Sequence, residues 1–124
     1  MQVKNSFAVI AGGAIGASLR GVIGTLMNGS PIATFVINMV GSILLGFFYQ
    51  FVRMNPRLSD SVKKLIATGL LGSFTTFSTY SLDLFVYIRD GHFWELAFYG
   101  GGSILAGILS VIIGVSLAKK VGRD

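Results

Sequence analysis

Long apolar stretches alternate with short polar connections along this chain. Apolar residues dominate four stretches, at about residues 7–27, 31–52, 65–88 and 96–118. Each reaches the roughly 20 residues that an α-helix needs to cross a bilayer. Lipid offers no hydrogen-bonding partner to the backbone, so helices are the structure that this pattern predicts. We therefore expect an all-α membrane protein with four transmembrane helices, folded as one domain over residues 1–124.

Local signals mark the ends of these segments and one interruption. Asn28-Gly29 is a turn signal, and Ser30-Pro31 is typical of an N-cap followed by proline at the first helical position. The third segment is a poor continuous helix, because Gly72 is followed by a run of hydroxyl and aromatic residues up to Ser81. A break near residues 72–76 is expected. Irregular backbone at membrane depth must be buried or line a cavity, and its carbonyls can coordinate a cation such as Na⁺.

The charges lie almost entirely between the apolar segments. Charged residues make up 12% of the chain, about half the usual share for a soluble domain, and the net charge is +5. Such a charge can indicate nucleic-acid binding, but here the cations are placed as the positive-inside rule predicts, so no nucleic-acid partner is expected. Four crossings put both termini and the central connection on one side. The other side has only Arg89, so the bias predicts that both termini are cytoplasmic. The eight basic residues on the side of the termini are Lys4, Arg53, Arg57, Lys63, Lys64, Lys119, Lys120 and Arg123.

Uncharged polar side chains recur inside the apolar segments. In the second segment Thr34, Asn38 and Ser42 share a helical face, and the fourth segment offers Ser103 and Ser110, seven residues apart. The third segment adds Thr75, Ser78 and Thr79 on one face. Hydrogen bonding between helices would explain any one of them. As a set of N–H and O–H donors they suit an anion or a neutral solute, because cation and proton pathways usually carry carboxylates and only Asp83 lies within a segment.

Two further features concern partners and ion attraction. Small residues at four-residue spacing, such as Gly12 and Gly16, predict close helix contacts and allow oligomerisation. A bundle this small would need a partner subunit to enclose a path. Arg20, near the end of the first segment, either reaches to the membrane interface or forms an electropositive vestibule for anions.

Three ordered motifs resemble those of the Fluc/CrcB fluoride channels. Residues 69–81, GLLGSFTTFSTYS, resemble that family's GxxGGxTTFSTFS signature. Residues 34–42, TFVINMVGS, resemble its TxxVNxxGS motif, and residues 12–20, GGAIGASLR, resemble its GGxxGAxxR opening. Chain length and helix count agree, so the resemblance covers essentially the whole chain.

The resemblance implies a fluoride-selective channel that exports fluoride passively and so relieves fluoride toxicity. It implies an antiparallel, dual-topology dimer in the cell membrane, with a structural Na⁺ at the dimer axis held by backbone carbonyls of Gly72 and Thr75. Asn38 and Phe77 would be pore residues, with Ser78 and Thr79 as a polar track. Thr34 would face the pore, Arg20 would be the vestibule arginine, and Ser103 and Ser110 are candidates on helix four.

The sequence departs from the family pattern in two places, and its charge bias raises a third question. Tyr80 stands where the signature has its second phenylalanine, and Asp83 where a glutamate is usual. An antiparallel homodimer needs chains inserted both ways, yet the charge bias favours one orientation. We therefore hypothesise that this chain pairs with an oppositely oriented paralogue.

Other classes of protein fit the sequence less well. A small proton-coupled multidrug exporter is the main alternative, but it would need a carboxylate in the membrane, usually in the first helix, which has none. A structural membrane subunit would not require a hydroxyl-rich helix break. An enzyme is not expected, since no Ser/His/Asp set, carboxylate pair or metal cluster is present.

Overall fold

The computed structural model describes residues 3–122; most of these are helical, and none of them forms a strand. Three continuous helices among them are long and apolar enough to cross a membrane: Val3–Leu26, Pro31–Met54 and Phe93–Gly122. The third predicted segment is built from shorter pieces, including a π-helical stretch. In chain order the elements are α1 (Val3–Leu26), α2 (Pro31–Met54), α3 (Asp60–Lys63), the π-helical segment Lys64–Leu71, α4 (Gly72–Phe74), α5 (Phe77–Arg89) and α6 (Phe93–Gly122).

The turn between α1 and α2 forms as its residues predict. Asn28 and Gly29 both have a φ of 61°, in the left-handed region that asparagine and glycine tolerate best. The Ser30 hydroxyl then accepts a hydrogen bond from the backbone N–H of Ala33, and Pro31 occupies the first turn. The cap and the turn direct the chain back along α1 with the early N–H groups of α2 satisfied.

Thr75 and Thr76 join α4 to α5 in extended conformation, with ψ values of 151° and 120°. We call this pair the Thr75–Thr76 link. The Thr76 hydroxyl caps α5 by accepting the backbone N–H of Thr79 at 3.3 Å. The cap explains why the helix restarts immediately: threonine favours the N-cap position, where its side chain replaces a missing intrahelical partner.

Two helix pairs make most of the tertiary contacts. α1 lies along the π-helical segment and α4, whereas α2 lies along α6 and α5 packs against α6 and α2. Glycines allow the close approach in both pairs. A Cβ at Gly16 would collide with the Leu70 carbonyl, and one at Gly114 would collide with the Ile43 carbonyl. The close helix contact predicted from the spacing of Gly12 and Gly16 is therefore confirmed. The close contact at Gly114 was not anticipated from the sequence.

The start of α1, the central connection and the end of α6 lie at one end of the molecule. The Asn5 side chain donates to Asp60 at 2.8 Å and accepts from the Ser61 hydroxyl at 2.6 Å. At the other chain end Gly122 lies beside the Met54 side chain. The basic residues predicted to share one side therefore cluster at this end, except Arg123, which lies outside the described residues.

The described part of the chain has a small core and an apolar exterior. Its buried hydrophobic residues are few, while leucines, isoleucines and valines along α1 and α6 are exposed. In water such a surface would aggregate, but in a bilayer it faces acyl chains. The fold is thus that of a multi-pass helical membrane protein.

Candidate permeation pathway

The Asn38 side chain pairs with the backbone of the Thr75–Thr76 link. Its amide nitrogen donates to the Thr76 carbonyl at 3.0 Å, and its oxygen accepts from the Thr76 N–H at 2.8 Å. A carboxamide is the side chain that matches a peptide group in this two-way manner. Asn38 of α2 therefore fixes the point where α5 begins, and one of its two N–H donors is left over.

A cavity of 440 Å³ opens beside this pairing, between α2, the Thr75–Thr76 link, α5 and α6. Asn38 and Ser42 reach it from α2, as expected from their shared face. Of the described residues, those that line it are all uncharged: Asn38, Met39, Ser42, Leu45, Thr75, Thr76, Phe77, Tyr80, Ser103, Ile104, Gly107, Ile108 and Val111. An uncharged lining with N–H and O–H donors repels neither an anion nor a neutral molecule.

Two aromatic rings form one wall of this cavity. Phe77 is 78% exposed, and its ring centre lies 5.9 Å from that of Tyr80. Tyr80 is buried, and its hydroxyl donates to the Gly100 carbonyl of α6 at 2.5 Å. The hydroxyl that distinguishes Tyr80 from phenylalanine is therefore bound by α6.

The two candidate serines of α6 differ in their surroundings. Ser103 lines the cavity, and its buried hydroxyl has no hydrogen-bond partner among the described residues. A buried, unpaired hydroxyl costs free energy unless a ligand or water satisfies it. Ser110 is also buried, but it donates to the sulfur of Met39 at 3.3 Å and does not line the cavity. Seven-residue spacing placed both serines on one face, and only Ser103 faces the cavity.

A second cavity, of 340 Å³, lies on the other side of Thr76. Arg20, Thr34 and Thr79 line it, and it extends to the turn between α1 and α2. The Arg20 guanidinium donates through Nε to the Ser73 carbonyl at 3.0 Å, which leaves its other N–H groups available. Thr76 borders both cavities, and Arg20 places a cation in the lining of the second.

The remaining predicted positions lie on or near the surface of the single chain. Gly72 and Ser78 are exposed, and Ser78 lines neither cavity. Thr75 is half-buried, with its hydroxyl donating to the Leu71 carbonyl at 3.1 Å. Within residues 72–76, side chains donate hydrogen bonds to the backbone carbonyls of Ser73 and Thr76. Among the described residues, no side chain donates to the carbonyl of Gly72 or Thr75.

The one carboxylate of the third segment is held away from both cavities. Asp83 accepts a hydrogen bond from the Tyr99 hydroxyl at 2.8 Å, and neither cavity includes it. The sequence did not reveal that Tyr99 would be the hydrogen-bond partner of Asp83, or that Thr76 would be the partner of Asn38. Tyr99 lies four residues before Ser103, on the same face of α6, which is a signal that could have revealed it.

The fold and the cavities define a class: multi-pass helical membrane proteins with polar side chains that line cavities between their helices. A family model described as CrcB-like protein, Camphor Resistance (CrcB), matches residues 7–115. The chain belongs to this family, which confirms the resemblance seen in its motifs.

Similar proteins cover nearly the whole chain. A protein of Oceanobacillus iheyensis named fluoride-specific ion channel FluC is 42% identical over 98% of this chain and 97% of its own length. Proteins with the same name from Chloroflexus aurantiacus and Aquifex aeolicus are 36% and 33% identical, over 97% and 93% of this chain and 99% and 97% of their own lengths.

Proposed function

We propose that the chain is one subunit of a fluoride-selective channel that lets fluoride leave the cell down its electrochemical gradient and thereby relieves fluoride toxicity. The observation that carries the proposal is the chemistry of the two cavities. Their lining offers N–H and O–H donors and one guanidinium, and no carboxylate. The names of the similar proteins support fluoride as the ion.

Each lining group has a role that its surroundings allow. The free N–H of Asn38 and the unpaired hydroxyl of Ser103 replace part of the water around the anion. The edge of the Phe77 ring, which carries partial positive charge, contacts the ion without holding it strongly. Arg20 attracts anions into the second cavity, where Thr34 and Thr79 add polar contacts. Conduction requires that the lining bind the anion strongly enough to let it enter and weakly enough to let it leave.

A second subunit in the opposite orientation completes the pathway in our proposal. The first cavity is open on one side, and Phe77 and Ser78 are exposed in the single chain. Thr75 belongs to the Thr75–Thr76 link, which we take as the functional break of the third transmembrane segment, and Gly72 begins α4 just before it. Their carbonyls, with those of the second subunit, would bind the structural Na⁺.

We infer that the end bearing the termini is cytoplasmic. Lysines and arginines cluster there, whereas Arg89 at the opposite end is paired with Asp90 at 3.0 Å. The hydrogen bond from Arg89 lowers the pKa of the Asp90 carboxyl. With insertion biased to one orientation, the antiparallel partner would be a paralogue.

Fluoride efflux from liposomes containing the purified protein tests the proposal. When the chain is reconstituted together with its oppositely oriented partner subunit, we expect rapid fluoride release, and chloride release no faster than from protein-free liposomes. Equal fluxes of the two ions would end the selectivity claim. Efflux with N-methylglucamine in place of Na⁺ tests the cation site, because a structural Na⁺ predicts loss of flux or of the dimer. Full conductance from this chain expressed alone would refute the paralogue partner.

A further inference from the structure

The end of α6 carries a groove that the permeation pathway does not use. It measures 460 Å³ and is lined by Ile112, Ile113, Ser116, Leu117, Lys119 and Lys120. The apolar members are all exposed, so no other described element covers them. A surface that is apolar along its length and cationic at one end matches an amphiphile with an anionic head.

The depth of the two lysines follows from the length of α6. The apolar run 96–118 extends about 34 Å at 1.5 Å per residue, slightly more than the roughly 30 Å hydrocarbon layer. Lys119 and Lys120 follow this run directly, so they lie at the level of the lipid head groups. The apolar part of the groove then lies at the level of the acyl chains.

Charge at this end of the molecule is strongly one-sided. No carboxylate of residues 3–122 pairs with Lys119 or Lys120. Asp60, the acidic residue of the neighbouring central connection, already accepts a hydrogen bond from Asn5. Two adjacent ammonium groups at head-group depth, with no ion-pair partner among residues 3–122, attract phosphate.

We propose that this groove of α6 binds an acidic phospholipid, with its phosphate on Lys119 and Lys120 and an acyl chain along Ile112, Ile113 and Leu117. A free phosphate ion would use the lysines but not the apolar floor, so the groove favours the lipid. The binding depends on the membrane location of α6 alone and is independent of which ion the protein conducts.

A single reporter placed in the groove tests the proposal. Trp94 is the only tryptophan, so a Trp94→Phe, Leu117→Trp variant carries one fluorophore in the groove. Its fluorescence is measured in phosphatidylcholine vesicles with an equal fraction of brominated phosphatidylglycerol or brominated phosphatidylcholine. We expect stronger quenching by the brominated phosphatidylglycerol, with a preference on the order of tenfold at low salt that declines as salt increases.

Two double variants, each added to the reporter chain, separate a specific site from general surface charge. Lys119→Gln with Lys120→Gln should reduce the preference to about one. Lys63→Gln with Lys64→Gln removes the same charge at the same end of the molecule but outside the groove, and should retain most of the preference. Equal loss in both variants would overturn the site, as would equal quenching by both lipids. Absence of quenching by either lipid would mean that a second copy covers this face, which also refutes lipid binding.

Native mass spectrometry of the unmodified protein provides a second measurement that does not depend on the reporter. In mixed micelles with equal phosphatidylglycerol and phosphatidylcholine, we expect the first bound lipid to be phosphatidylglycerol. Ser116→Trp, which fills the groove without changing the charge, should reduce that binding several-fold. Unchanged lipid binding in Ser116→Trp would contradict a role for the apolar floor.

Discussion

Replacing Asn38 by aspartate tests the assignment of the pathway most directly. The carboxylate can still accept the Thr76 N–H, but it cannot donate to the Thr76 carbonyl, which lies 3.0 Å from the Asn38 amide nitrogen. The substitution leaves the Thr76 carbonyl without its donor and facing a carboxylate oxygen, which costs about 1–3 kcal/mol. That loss is small enough for the protein to fold, so the charge in the first cavity is the larger effect.

The size of that effect follows from Coulomb's law. A unit charge about 4 Å from a passing fluoride raises its energy by about 4 kcal/mol at an effective dielectric constant of 20. Since about 1.4 kcal/mol changes a rate tenfold, we expect fluoride flux to fall by two to three orders of magnitude. Initial efflux rates from liposomes, measured with a fluoride electrode, give this value directly.

A matched substitution on the same helix serves as the control. Asn55 caps the exposed end of α2 and lines neither cavity, so Asn55→Asp introduces the same charge away from the route. We expect it to conduct within about threefold of the unmodified protein. If Asn38→Asp also conducts within threefold while its melting temperature is normal, fluoride does not pass Asn38 and the assignment is wrong.

Three further predictions concern the cavity wall and the helix contacts. Phe77→Ile, which removes the ring edge from an exposed position, should suppress fluoride flux in the same assay at unchanged protein stability; normal flux would move the pore elsewhere. Tyr80→Phe removes the hydrogen bond to Gly100 and should lower the free energy of unfolding in detergent by about 0.5–1.5 kcal/mol, whereas no change would show that the bond is not formed. Gly114→Ala should cost about 1–3 kcal/mol because its Cβ meets the α2 backbone, while Gly101→Ala, with open space around it, should not destabilise; equal melting temperatures would contradict the close α2–α6 contact.

Local signals in the sequence were sufficient to predict those features of the fold that depend on one short stretch of residues. Ser30-Pro31 starts α2, and the left-handed Asn28 and Gly29 form the turn before it. The Asn38 face was predicted from helical spacing alone, and it does reach the first cavity. The donor-rich, carboxylate-poor chemistry was equally visible, because it depends only on which residues occupy the apolar segments.

The tertiary structure decided which side chains and backbone groups contact one another. Spacing placed Ser103 and Ser110 together, but Met39 of α2 binds Ser110 and leaves only Ser103 facing the cavity. The pairing of Asn38 with Thr76 joins residues 38 positions apart, and no local pattern specifies it.

The sequence by itself determined the apolar segments, three of which are continuous helices long enough to cross a membrane, and the chemical character of their polar residues, because each depends on neighbours along the chain. The tertiary structure decided which of those residues line the two cavities, because the direction in which each side chain points depends on which helices pack closely. Glycine contacts such as Gly114 against Ile43 set that packing, and they bring together side chains that are distant in sequence.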